Sequence, residues 1–136
     1  MKYKFLDAIT SDVIFEAYGK DLKELFENAA LALFSVICKT SDVKQKDSDE
    51  YEFKAGNAEE LMINFLQGLI AIVDIEQKFF SKFDVEEIDE SHLIVKCYGE
   101  PIRPELGETV VKAVTYYKFD VSKDKKGYKA RVVLDI

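Results

Sequence analysis

Two runs of alternating residues at the C-terminal end of the chain, separated only by turn chemistry, restrict its fold more than any other stretch. Residues 111–121 are rich in Val, Tyr, Phe and Thr and read as a strand; residues 128–134 read as a second one. The intervening residues 122–127, SKDKKG, are turn chemistry, so the spacing predicts a C-terminal hairpin. The run Val132-Val133-Leu134-Asp135-Ile136 continues to the last residue. The last strand is therefore expected to hold the Asp135 side chain beside the main-chain carboxylate of Ile136, near the sheet and not on a frayed tail. Taken alone, that spacing also suits a domain that simply finishes on its last strand.

Elsewhere the period changes. Over residues 20–38, Leu22, Leu25, Phe26, Ala29, Ala30, Leu33 and Ile37 recur at three- and four-residue intervals, and Asp21 with Glu24 has the form of a capping box. Leu31 and Phe34 widen that stripe. After Gly56, Asn57 with Glu60 repeats the cap, and Leu61, Met62, Phe65, Leu66, Leu69, Ile70 and Val73 trace a second helix to about Ile75. Ile63 and Ile72 fall elsewhere on it, so little of it is expected to face water. Gly68 inside this helix costs roughly 1 kcal/mol against Ala, which points to a close approach by another backbone or a bulky ring.

Alternation marks further strands over residues 3–6, 12–18 (closed by Gly19), 51–53, 83–88 and 92–98, the last two joined by Asp89-Glu90-Ser91. Loops are expected over 7–12 and 40–50, from Phe79-Phe80, and over 99–109, which carries both prolines. The order strand, helix, strand, helix and four strands predicts an α+β fold: one domain over residues 1–136, a mixed or antiparallel β-sheet with two α-helices packed on one face. Leu22, Phe26, Leu33, Leu61, Phe65 and Leu69 should be buried between the layers.

Charge narrows the function classes. The chain has 26 acidic and 19 basic residues, a net charge of −7, which argues against tight direct nucleic-acid binding or attachment to an anionic membrane. Lys123–Lys126, the densest basic run, contains Asp124. Cys38 and Cys97 lack metal spacing and a CxxC pattern and read as buried small hydrophobes. No signal-peptide pattern opens the chain, and the apolar window 61–73 falls short of the roughly 20 residues that span a bilayer; a cytoplasmic location is expected. Phosphate-loop, dinucleotide, nucleophile-elbow and paired-histidine metal motifs are absent. His92, the only histidine, reads as a solvated turn residue, and Glu86-Glu87 and Asp89-Glu90 as hairpin ends.

Several segments taken together resemble the archease family: Ser11-Asp12-Val13, Glu16-Ala17-Tyr18-Gly19, Leu25 through Phe34 (LFENAALALF), Gly99-Glu100, Val111-Lys112-Ala113-Val114-Thr115-Tyr116, and Arg131 through Ile136 (RVVLDI). The resemblance spans the whole chain, and the VKAVTY strand and terminal Asp-Ile are its most specific parts. It implies a non-enzymatic activator of the tRNA-splicing RNA ligase, which joins a 3'-phosphate or 2',3'-cyclic phosphate end to a 5'-hydroxyl. The activator would promote guanylylation of the ligase and multiple turnover. It further implies a metal site formed by Asp12, Asp135 and the main-chain carboxylate of Ile136. Three hard anionic oxygen groups suit Ca²⁺, with Mg²⁺ or Mn²⁺ as alternatives.

This chain departs from the resemblance where histidines are expected. Ile9 stands directly before Thr10, Tyr117 follows the VKAVTY tyrosine, and residues 105–108 carry no His-Glu pair. Two other classes compete with the ligase activator. A chaperone-like module acting on other RNA-modifying enzymes would expose a broad apolar patch. A metal-dependent phosphohydrolase would need a general base or second metal that the sequence does not display.

Overall fold

The computed structural model describes residues 1–6 and 11–136. Both helices start as their caps dictate. In α1 (Leu22–Ile37) the Asp21 carboxylate accepts the Glu24 N–H at 2.9 Å while Glu24 accepts the Lys20 N–H at 3.0 Å. In α2 (Ala58–Glu76) Asn57 and Glu60 repeat the arrangement, Glu60 accepting from Gly56 at 3.1 Å. These reciprocal bonds satisfy N–H groups that a helix start leaves open. The helix α2 ends at Gln77 in the left-handed conformation, with φ 54°.

The described residues form seven strands: β1 (Tyr3–Leu6), β2 (Asp12–Gly19), β3 (Asp47–Lys54), β4 (Lys78–Ile88), β5 (His92–Pro101), β6 (Ala113–Asp124) and β7 (Gly127–Asp135). Every pairing is antiparallel. The single sheet expected from the sequence is two: four strands in the order β1-β2-β7-β6 and three in the order β3-β5-β4. The chain passes between them twice, from β2 through α1 to β3, and from β5 through a short 3₁₀ turn, Pro104–Leu106, to β6. The helix α1 lies against β2 and β4, one strand from each sheet, and α2 touches β6, β3 and β4.

Core residues follow the two periods. Phe26, Leu33, Leu61, Phe65 and Leu69 are at most 1% exposed, whereas Leu22, expected among them, is only partly buried at the first turn of α1. Phe65 stacks at 5.7 Å from Phe26 and 5.5 Å from Phe53. The Phe53 ring also occupies the space that a Cβ on Gly68 would fill, so of the two expected approaches, by a backbone or by a bulky ring, it is the ring that is present. Cys38 and Cys97 are buried, and burial pushes the Cys38 thiol up to about 12.

Other expected boundaries shift. β3 begins at Asp47, inside the stretch expected to be a charged connection; it is an edge strand, and its acids blunt the exposed edge. Phe79 and Phe80 belong to β4, where a loop was expected, and both are buried. A register shift between Phe80 and Lys82 brings Phe80 and Phe83 within 6.3 Å of each other, both near Phe34. That bulge interrupts the two-residue period. The C-terminal hairpin is present, with β6 starting at Ala113 instead of residue 111 and interrupted between Thr115 and Asp120.

Candidate metal centre

The β2–β7 ladder fixes which side chains meet. Phe15 and Ala17 are wholly buried and pair in register with Val132 and Ala130, so this face meets the helices. Alternation turns Asp12, Ile14, Glu16 and Tyr18, with Lys129, Arg131, Val133 and Asp135, to the opposite face. Asp12 is the register partner of Asp135. The N–H of Ile136 donates to the Ser11 carbonyl at 3.1 Å, the pattern that flanks a non-hydrogen-bonded antiparallel pair. In such a pair the side chains stand closest, with Cβ atoms about 4.5–5.5 Å apart.

The third strand holds the same point. Ala113 on β6 pairs with Asp135, and the Lys112 N–H donates to the Asp135 carbonyl at 2.8 Å. Ile136 packs its side chain against the core, which anchors the residue expected to supply the main-chain carboxylate. The Asp12 and Asp135 side chains are therefore paired across the ladder, with Ile136 next to them.

Among the described residues neither aspartate takes part in an ion pair, and no group of three His, Cys, Asp or Glu side chains converges. The structure brings two side-chain carboxylates together, to which the resemblance adds the expected Ile136 main-chain carboxylate. Thr115, diagonal to Asp135 on the same face, has a buried hydroxyl with no hydrogen-bond partner among the described residues. Anionic oxygens without nitrogen or sulfur ligands fit a hard divalent cation, and a calcium shell of 6–8 oxygens leaves places for water.

Four residues along the same ladder lies a cluster that sequence reasoning missed. Glu16, 9% exposed, has Lys4 and Lys129 ammonium groups at 3.8 Å each and accepts the Tyr18 hydroxyl at 2.9 Å. Burial, and then the bond and charge of Glu16, push Tyr18 up to about 12. The alternation Asp12, Glu16, Tyr18 carried the signal, since it puts all three on one face. Of the positions where histidine was expected, Ile9 lies outside the described residues. Tyr117 sits in the β6 interruption, 62% exposed, beside Lys118 with φ 55°. Glu105 lies 3.8 Å from Arg103, and the Glu108 N–H donates to Ile37. His92 pairs with Glu52 and joins no site.

The sequence model of the Archease protein family (MTH1598/TM1083) matches residues 3–136. Protein archease of Methanosarcina acetivorans is 40% identical over 141 residues, covering 99% of this chain and 96% of that protein. Protein archease of Archaeoglobus fulgidus is 39% identical over the full length of both. The solution structure of Methanobacterium thermoautotrophicum protein 1598 is similar with a TM-score of 0.83 and 36% identity, covering 99% of each chain. The crystal structure titled an archease, possible chaperone, from Thermotoga maritima shares the fold, with a TM-score of 0.70 and 20% identity over 93% of this chain and 92% of that one.

Proposed function

The chain belongs to the archease family, and from that premise we propose that it is a metal-binding, non-catalytic activator of the tRNA-splicing type of RNA ligase. In this reading it promotes guanylylation of the ligase and sustains multiple turnover. The observation that carries the metal part is the register of Asp12 opposite Asp135, with Ile136 adjacent. Two like charges held across a ladder without a cation are a poor arrangement for stability alone and a good one for a divalent ion. Asp12, Asp135 and the Ile136 main-chain carboxylate would hold the metal, calcium before magnesium or manganese. The bound ion would supply positive charge at the sheet end, where partner and RNA phosphates could then approach.

The protein's own charge supports a partner that holds the RNA. Within the Lys123–Lys126 turn an acid interrupts the densest basic run: the Asp124 carboxylate accepts the Lys126 backbone N–H at 2.7 Å. A chaperone-like role toward other RNA-modifying enzymes is the second reading, favoured by the exposure of Ile75 and Val110.

Guanylylation and multiple-turnover joining by the ligase, measured with and without chelator, test the proposal. Stimulation should vanish with chelator and return with Ca²⁺. Asp12→Asn, Asp135→Asn and one residue added after Ile136 should each weaken metal binding and stimulation together while the fold persists. The extension keeps every side chain and moves only the terminal charge. An extended protein as active as the parent would remove Ile136 from the site, and stimulation indifferent to chelator would remove the metal.

A further inference from the structure

A groove lies where the C-terminal ends of both helices meet the segment that links the two sheets. Ile37, Ile70, Val73, Phe79, Ile102 and Val111 line it, and its volume is about 220 Å³. That is below the roughly 300–1,000 Å³ of small-molecule sites and suits one or two inserted side chains. Its walls are tied in place: Cys38 bridges to Gly107, Glu108 and Thr109 N–H groups donate to Ile37 and Val36 at 2.9 and 3.1 Å, and Ile102 N–H donates to Gln77 at 2.9 Å. At its mouth Val110 is 82% exposed, and Ile75, next to Asp74 on α2, is 80% exposed.

The electrostatics of this groove are one-sided. Asp74 and Glu108 are on its lining and exposed, and among the described residues neither has an ion-pair partner. The last turns of α1 and α2 contain no basic residue, so Asp74 and Glu108 are the charged side chains among the described residues of the lining. An apolar floor flanked by these two carboxylates selects an apolar group carried between cations. It disfavours RNA, whose phosphates would meet carboxylates, and a second copy of this chain, which would bring the same acids face to face.

We propose that this groove docks a short apolar segment of a partner protein flanked by lysine or arginine. The inference stands without the ligase reading. It also places the docked segment near the carboxylate pair, because Lys112, two residues beyond Val110, is hydrogen-bonded to Asp135.

The test is selection of a displayed random peptide library on the intact chain, followed by titration of the selected peptides into isotope-labelled protein. Selected peptides should share one or two large apolar residues between basic ones and shift the resonances of Val73, Ile102 and Val110. Their affinity should fall more than about tenfold with Val110→Lys, and clearly with Asp74→Asn and Glu108→Gln together. All three positions are exposed, so these variants should fold. The proposal is overturned if no peptide is enriched, if the selected peptides lack basic flanks, or if they bind the Val110→Lys protein equally well. Saturable shifts at these residues with a single-stranded RNA oligonucleotide, or a dimer that Val110→Lys dissolves, would equally overturn it.

Discussion

Glu16 and Asp12 stand on the same face of the same strand, four residues and so about 13 Å apart, yet the fold treats them in opposite ways. Glu16 is nearly buried, faces Arg131 in register, has two lysines at 3.8 Å and takes a tyrosine hydroxyl bond. Asp12 faces another aspartate, and among the described residues no cation reaches either. The ladder can evidently supply lysines across its width where a carboxylate serves the fold. A carboxylate pair left without them is one whose compensation comes from outside the chain. Glu100 in the other sheet follows the first pattern, 1% exposed, with Arg103 bonds at 2.9 and 3.1 Å and the Lys44 N–H at 2.6 Å.

Both ends of the ladder ride on one core, and loss of core packing is the largest effect expected. Phe65→Ala removes a wholly buried ring that touches Phe26 and Phe53 and should cost roughly 3–5 kcal/mol in urea unfolding. Calcium affinity, normalised to the folded fraction, should barely change. A selective loss of metal binding would mean that the site depends on core packing and not on the ladder alone.

Acid titration of Glu100 is the next largest effect. The Arg103 hydrogen bonds, followed by the Lys44 N–H, hold its carboxyl down at about 2 in the folded chain, below its ordinary 4.5. A depressed folded value contributes stability that is present above the unfolded value and is lost as pH falls from about 4.5 through 2. Glu100→Gln should therefore lower the thermal midpoint at pH 7 and flatten its fall across that acid range. An unchanged acid slope in the variant would show that other carboxylates govern acid unfolding. The compensated end of the ladder ranks after it: Glu16→Ala should cost about 1.5–3 kcal/mol, the scale for hydrogen bonds to charged groups. It should also return Tyr18 toward its ordinary titration, read by ultraviolet absorbance.

How far this contrast could be read from sequence depended on range. Helices α1 and α2, their Asp21 and Asn57 caps and the close approach at Gly68 follow from patterns within a few residues, as does the β6–β7 hairpin. What was missed needs distant partners or broken periods. β3 starts in DSDE, where an edge strand alternates without apolar residues. In β4 a bulge after Phe80 breaks the alternation, and in β6 the stretch before Asp120 leaves the ladder with Lys118 at positive φ. The split into two sheets depends on β2 choosing β7, a pairing across most of the chain. The candidate site was legible only by resemblance, since the facing of Asp12 and Asp135 is a matter of long-range register. The Glu16 lysines, from β1 and β7, escaped for the same reason.

The smallest stability effect bears most directly on the contrast, because its sign is opposite to that at Glu16. Like charges directly opposite across an antiparallel pair are destabilising, on the scale of a few tenths to about 1 kcal/mol. In metal-free buffer at neutral pH, Asp12→Asn or Asp135→Asn should therefore raise unfolding stability by that amount, while Glu16→Ala lowers it. The double variant should gain little beyond either single one, because one neutral partner already removes the repulsion and the two positions face each other. Adding Ca²⁺ should reverse the ranking: the parent gains stability by binding, and the Asn variants gain less. A salt titration sharpens the reading, since screening should shrink the metal-free advantage of the Asn variants. If both Asn variants lose stability in metal-free buffer at low salt, the aspartates serve the fold as Glu16 does, and the carboxylate pair is structural.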